Sequence, residues 1–440
     1  MTQQPAVQYT EEQKKLRAEI EKKHGKTPEE LYEEREKRVR DAINLTEPDR
    51  VPTSLRFTYF PGTYLNIPKS AAYYDPARWN SAVIRTILDF DPDMSQSYAG
   101  MGSGEVSEVL KPTQSRWPGG SLPENTAHQA IDVETMMEDE YELLLNDPTD
   151  FYMRKMLPRT YEALAPLAKL PPMGERAMMF GMMTPIFASE EFKEMGRALI
   201  AAGEAQERWM KKAGTPLAEQ MDKLGLVPNG QMGGAGGAPF DGISDRYRGM
   251  QGAMLDMYRH PDELLAVLDK MLQERLKNAI PADPKAKGNP KRLFLALHRG
   301  ADGFMSNKQF EKFYWPGLKA AMMKSIELGY VPMPFCEGKY DDRIEYFLEM
   351  PKGKVVVHLD ITDMFRAKEI LKDHCCLMGN VPSSLLQIGT PNDVDEYCKK
   401  LIEVCGKGGG LILTHGSSID EAKPECLHAM MEATRKYSPK

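Results

Sequence analysis

Four short apolar runs in the last third of the chain constrain its fold more than any other feature. They are Val331–Cys336 (VPMPFC), Lys354–Asp360 (KVVVHLD), Cys375–Asn380 (CCLMGN) and Gly409–His415 (GGLILTH). An amphipathic, helix-like segment separates each run from the next. Strands that alternate with helices predict a parallel sheet. Each run also ends in a polar residue able to do chemistry: Cys336 with Glu337 after it, His358 and Asp360, Asn380, and His415. In a closed (β/α)8 barrel the carboxyl ends of the strands build the active site. The pattern therefore predicts both an α/β fold, a (β/α)8 TIM barrel, and the place of its site.

A chain of 440 residues is long enough for one large barrel with additions, or for two domains. Its net charge of −7 and the lack of a basic stripe argue against nucleic-acid binding. No apolar run is long enough to predict a membrane span. The start of the chain, MTQQPAVQYTEEQKK, has no apolar signal core, which predicts a cytoplasmic protein. The six cysteines (336, 375, 376, 398, 405 and 426) show no C-x-x-C spacing and read mostly as buried apolar residues.

Residues 11–24 are charged and helix-favouring, with Gly25 as a stop. Thr27-Pro28-Glu29-Glu30 is a capping-box pattern that starts a helix running to about Asn44. These two helices form an N-terminal extension, residues 1–48, that wraps the barrel or a second subunit or is simply a solvated surface. Residues 49–440 form the barrel. Val51–Phe57 is the first strand candidate and Asp91–Tyr98 the second, with a helix at 79–91 between them. Residues 102–175 read as an insertion on the upper face. Helix at 190–224 leads to Val227–Phe240 (VPNGQMGGAGGAPF), a strand entering a glycine-rich loop. A helix over 248–280, the strand Leu293–His298 and the helix Lys308–Leu328 follow.

These segments resemble the uroporphyrinogen decarboxylase superfamily, which also holds zinc- and corrinoid-dependent methyltransferases of anaerobes. The stretch MGNVPSSLLQIGTPNDVDEYCKKLIEVCGKGGGLILTHGSSIDEAKPECLHAMMEATRKY is similar to the family's last two βα units. GGAGGAPFDGISDRYRG, DGFMSNKQFEKFYWPGLK and EREKRVRDAINLTEPDRVP are similar to further family segments. The resemblance implies a (β/α)8 barrel. It also exposes departures. Porphyrinogen decarboxylases carry two arginines after the first strand; here Arg56 fills one position and Thr63 stands at the other. Their last-loop histidine falls on Ser417. A four-carboxylate porphyrinogen needs several cations, so the resemblance does not extend to heme-pathway decarboxylation. The methyltransferase branch binds zinc through a His-x-Cys pair and a later Cys. Here Cys336 is kept, Pro334 replaces the histidine, and Ser417 replaces the second cysteine.

Zinc can activate a leaving heteroatom without an acidic pH, and it takes three protein ligands while keeping one position open. The expected ligands are Cys336 and His358 with Glu337 or His415; His415 could instead bind a substrate carboxylate. Each could also be a core residue. Alternation puts His358 and Asp360 on one face of their strand. His298 and Arg299 end the fourth strand, where Arg299 would hold an anionic substrate or bridge across the loop to Asp302. Arg56 and Ser417 are further substrate-binding candidates. Tyr59, Asp360 and Asn380 are candidates for catalysis. The leading expectation is a methyltransferase that moves a methyl group between a small methylated substrate and a corrinoid (cobalamin) carried on a partner protein, assisted by zinc or a general acid. The alternative is a metal-free decarboxylase acting on a carboxylated substrate through Arg56, Arg299, Asp360 and His415. A non-catalytic binding subunit is a third reading, disfavoured by the polar strand ends. The N-terminal helices also make a homodimer conceivable.

Overall fold

The computed structural model describes residues 9–95, 100–172, 180–230 and 233–438. Helix α1 spans Glu11–His24 and α2 spans Pro28–Ile43. Both open with a complete capping box, on Thr10 and Thr27, because the threonine hydroxyl satisfies an N3 amide that the helix leaves unpaired. The short strands β1 (Ser54–Leu55) and β2 (Met94–Ser95) pair in parallel. An antiparallel hairpin, β3 (Ser115–Arg116) with β4 (Gln129–Ala130), belongs to the segment expected as an insertion. The main sheet contains β5 (Lys291–Leu297), β6 (Tyr330–Cys336), β7 (Val356–Leu359), β8 (Cys376–Val381) and β9 (Leu411–His415), parallel and in sequence order.

Single parallel bridges extend this order. Thr53 pairs with Leu413 and Phe57 with Ile419, which joins β9 to β1, and Ser95 pairs with Pro228 beyond β2. The regular sheets do not themselves close into a ring of eight strands. The strands of the main sheet end within two residues of the expected ones, whereas β1 and β2 are only short cores of the expected first and second strands, the second falling partly on residues outside the described ones, and the strand expected from Val227 is reduced among the described residues to a single bridge at Pro228. The helix expected at 190–224 is two, Glu190–Lys212 and Gly214–Lys223. That expected at 248–280 is also two, Gly249–Arg259 and Pro261–Lys277. His260-Pro261 divides the latter pair, since proline disfavours the helical conformation in the residue before it.

Register divides the core in two. Residues aligned across parallel strands point to one face, and their neighbours to the other. Val331, Met333, Val356, Cys376, Met378 and Ile412 form one apolar cluster with Met94 and Val227. Tyr32, Val39, Ala42 and Ile43 of α2 belong to the same cluster, so α2 covers the N-terminal end of the strands' inner face. Leu293, Leu295, Leu297, Cys336, Val357, Leu359, Leu377, Leu411 and Leu413 lie in the larger outer cluster with the helices.

Buried ion pairs fix α2 in place. Arg38 donates to Asp93 at 2.6 Å, and Arg50 donates to the same carboxylate at 2.6 and 2.8 Å. Glu36 holds Arg292 of β5 through two bonds of 2.7 and 2.9 Å. The N-terminal helices are thus an integral end-cap rather than a solvated surface. No helix among the described residues is long and apolar enough to cross a membrane.

Candidate active site

The C-terminal ends of β5 to β8 stack their inner-face residues in layers. Ala296, Phe335, His358 and Met378 are register partners in sequence across β5, β6, β7 and β8. Two residues further along the strands stand His298, Glu337, Asp360 and Asn380. The Phe335 and His358 rings lie 4.7 Å apart, and Phe294 stacks on Phe335 at 6.1 Å. The Arg56 guanidinium sits over both phenyl rings, 4.2 Å from Phe335 and 4.8 Å from Phe294. Ala296 is exposed although it lies on the inner face. Its small side chain leaves open space beneath His298 and beside the aromatic pair.

His298 is the group in this layer best placed to handle a proton. Its Nδ1 meets Asp245 Oδ2 at 2.6 Å, and its Nε2 faces Glu337 at 3.9 Å. The imidazole side chain is 38% exposed. The hydrogen bond to Asp245 raises its pKa; burial opposes this, and the charges of Asp245, Asp241 and Glu337 add to it. A histidine so held keeps its proton above its ordinary range, with Nε2 turned to the open space.

The helix Pro239–Arg246 supplies both supporting carboxylates. Asp241 and Asp245 are four residues apart and therefore share one helical face. Asp241 accepts the backbone N–H groups of His298 and Arg299, at 3.2 and 2.9 Å, and the Tyr314 hydroxyl at 2.7 Å. Its carboxyl is pushed up to about 6 by burial, against the pull of Tyr314 and the Arg299 amide. Arg299 is committed to Asp245 at 3.2 Å and to the Ser244 hydroxyl at 2.8 Å. It does not bridge to Asp302, which instead accepts from Arg343 at 3.0 Å. Neither Asp241 nor Asp245 was singled out as a site residue from the sequence. The signal for them was their i, i+4 spacing immediately after a glycine-rich loop.

The expected zinc ligands do not converge. Cys336 is the register partner of Leu297 and Leu359 and faces outward with them. It is fully buried, and burial pushes its thiol well above the usual range, against the thiolate that zinc requires. His415 is also buried, and both its ring nitrogens are engaged: Nε2 accepts the Arg56 amide at 2.9 Å, and Nδ1 meets the Ser417 carbonyl at 2.5 Å. Burial lowers its pKa to about 3. His358 does face inward, with Nε2 at 3.2 Å from the His415 carbonyl and Nδ1 without a hydrogen-bond partner among the described residues. Burial, then Arg56, holds its pKa well below the usual value. Glu337 is exposed beside His298. Among the described residues no three His, Cys, Asp or Glu side chains form a group that could hold a metal ion. The residues as arranged do not fit zinc.

The other expected residues divide similarly. Asp360 lies in the layer near Arg56 and accepts the Gly338 amide at 3.0 Å; burial raises its pKa. Asn380 is a strut, since its amide nitrogen donates to the Asp360 and Thr362 carbonyls and its oxygen accepts from Tyr397. Tyr59 is buried, with its hydroxyl 3.3 Å from that of Tyr73 and 3.1 Å from His128 Nδ1; burial drives its pKa up. Ser417 pairs with Ser383 at 3.1 Å. Three of the expected residues, Asn380, Tyr59 and Ser417, thus have their polar groups occupied within the fold.

Residues 223–437 match the family model described as uroporphyrinogen decarboxylase (URO-D). No curated protein sequence matches the chain. Among solved structures, a methyltransferase from Methanosarcina mazei superposes with a TM-score of 0.55 over 92% of this chain and 98% of that one. The two sequences are 13% identical, so this likeness shows a shared fold alone. The strand-end layers, the Asp-His pair and most of the expected site residues lie within the matched segment, which is similar to the uroporphyrinogen decarboxylase family and covers just under half of the chain.

Proposed function

We propose that the chain is a methyltransferase that moves a methyl group between a small methylated substrate and a corrinoid carried on a partner protein, with His298 as the acid that activates the leaving heteroatom. The Asp245–His298 pair beside the open space above Ala296 carries this reading. A methyl group on oxygen or nitrogen is a poor electrophile until the leaving atom is protonated or bound to a Lewis acid. In the demethylating direction the methyl–heteroatom bond breaks, its electron pair stays on the heteroatom, and His298 Nε2 supplies the proton. The corrinoid, when docked, supplies the cobalt nucleophile. Asp245 stabilises the imidazolium and fixes its orientation, while Phe294 and Phe335 offer an apolar wall and Arg56 a cation for an anionic part of the substrate. The family match and the bridges that join β9 to β1 support a (β/α)8 barrel, with residues 1–48 as its end-cap and the segment of about 102–175 inserted over the strand ends.

A second reading, decarboxylation of a small carboxylated substrate, draws support from Arg56, whose cation is half-buried against aromatic rings near Asp360. The two separate in one assay. The full chain is incubated anaerobically with free cob(I)alamin and a panel of methyl ethers, methylamines and methylated carboxylates. Methylation of the corrinoid by any of these, reduced in His298→Gln, supports methyl transfer. Release of CO2 from a carboxylated substrate with no methylation of the corrinoid would replace it with the second reading.

A further inference from the structure

A cavity of about 450 Å³ opens at the end of the helix Pro239–Arg246, and His298 is not among its lining residues. Its wall combines the C-terminal half of the helix Pro261–Lys277, the end of the helix Pro239–Arg246, Tyr152 and the glycine loop at Gly234–Gly236. Two arginines, Arg246 and Arg275, line it together. Arg275 donates to the Gly237 carbonyl at 2.7 Å. Among the described residues no carboxylate lies within ion-pair distance of either guanidinium. Glu274, also in the lining, is exposed and pairs with neither.

Two neighbouring cations repel one another, and burial sharpens the cost for the more enclosed one, Arg275. The tension is visible at Arg275, whose pKa is lowered by burial first and then by Arg246. The surroundings are arranged to accept it. Gly242 has no side chain where a Cβ would lie 2.8 Å from the Arg275 guanidinium. The Tyr152 and Tyr247 hydroxyls share a hydrogen bond of 2.6 Å, which leaves one hydroxyl proton of the pair free to donate. Gly234 and Gly236 adopt positive φ, 62° and 77°, which a side chain would resist.

We propose that this cavity is an anion-binding site for a dianionic phosphoryl group, free or borne on a small ester, held by Arg246 and Arg275 with the tyrosine pair. A dianion neutralises both cations, whereas a monocarboxylate leaves one uncompensated, and paired guanidinium groups match phosphate oxygens bidentately. The site stands independently of the methyl-transfer reading. Its position points to regulation of the active site, because the helix that ends in Arg246 carries Asp241 and Asp245 on the face toward His298.

The test is calorimetric titration of the full chain at constant ionic strength with inorganic phosphate, glycerol phosphate and acetate. One phosphate or ester per chain is expected, bound more tightly than acetate; comparison of the first two titrants shows whether free phosphate or an ester is preferred. Arg246→Gln, at an exposed position, should weaken binding about tenfold or more, as loss of one charge-assisted bidentate pair does. Arg275→Gln should do the same, and surface Arg197→Gln should not. Absence of binding to both phosphate compounds, equal affinity for acetate, or affinity unchanged in a folded Arg246→Gln protein would each overturn the proposal.

Discussion

Asp93→Asn should destabilise the protein by several kcal/mol, although it changes one atom far from the candidate site. Asp93 is completely buried and accepts five hydrogen bonds: one from Arg38, two from Arg50, one from the Thr53 amide at 2.8 Å and one from its hydroxyl at 3.2 Å. Asparagine keeps the size but removes the charge and turns an NH2 toward guanidinium donors. Leaving a buried charge without its partner costs about 3–5 kcal/mol. Arg38 retains Asp49 and Glu34, whereas among the described residues Arg50 retains the Val51 carbonyl and the Thr434 hydroxyl and no carboxylate. The loss is therefore placed near the lower end, about 3 kcal/mol. That is a large part of a usual total of about 5–15 kcal/mol. Urea unfolding followed by circular dichroism and tryptophan fluorescence would measure it. Burial raises the Asp93 pKa, but Arg50 and Arg38 together outweigh that and hold it below its ordinary value. Its contribution is thus present above the unfolded carboxyl value, about 3.9, and is lost as pH falls through the lower folded one. Asp93→Asn should lack this acid-dependent loss. A cost below about 1 kcal/mol, typical of a surface pair, would refute the view that this cluster locks α2 to the sheet.

Three further outcomes concern the candidate site. His298→Gln should lower the methyl-transfer rate by about 10²–10⁴-fold, the usual contribution of a general acid, with the thermal midpoint unchanged. In Asp245→Asn the raised pKa of His298 loses its main cause, so the fall in rate with rising pH should begin at a lower pH than in the unmodified protein. Nuclear magnetic resonance titration of the imidazole should follow the same displacement. Ala296→Leu fills the open inner-face position without entering the packed outer layer, and should raise KM or abolish turnover while leaving the urea midpoint intact. Cys336→Ala should cost roughly 1–2 kcal/mol as a small core truncation and leave turnover unchanged, since the thiol faces the helices.

Much of the parallel sheet was legible because its strands are continuous apolar runs, the signature of strands buried on both faces. The offsets at their ends arose where the ladder takes in residues outside the apolar run, as at Lys291 and Tyr330. The inner face of β7 was legible too, since strict alternation placed His358 and Asp360 together. The same rule, applied across strands, separates Cys336 and His415 from them; that step needs the register, which one strand's sequence does not contain. Asp241 and Asp245 were missed for a different reason. They lie on a helix after the glycine loop rather than at a strand end, and only the fold brings that helix over His298. The role of α2 was hidden as well, because an end-cap helix and a solvated helix share the same charged, well-capped sequence.

The pairing of β1 with β9 has a consequence for how the molecule is made. The Thr414 hydroxyl bonds the Ser54 carbonyl across 360 residues of chain, and Thr53 finds its ladder partner in Leu413. At a synthesis rate of about 5–20 residues per second, the first strand waits roughly 20–70 s for this neighbour to be made. During that time its edge is open, and contacts so distant in sequence are intrinsically slow to form. The ion pair of Arg38 and Asp93, only 55 residues apart, and the β1–β2 ladder can form much earlier. They give the nascent N-terminal segment a local partner that shields the waiting strand, so the end-cap of the finished protein also serves as its early folding template.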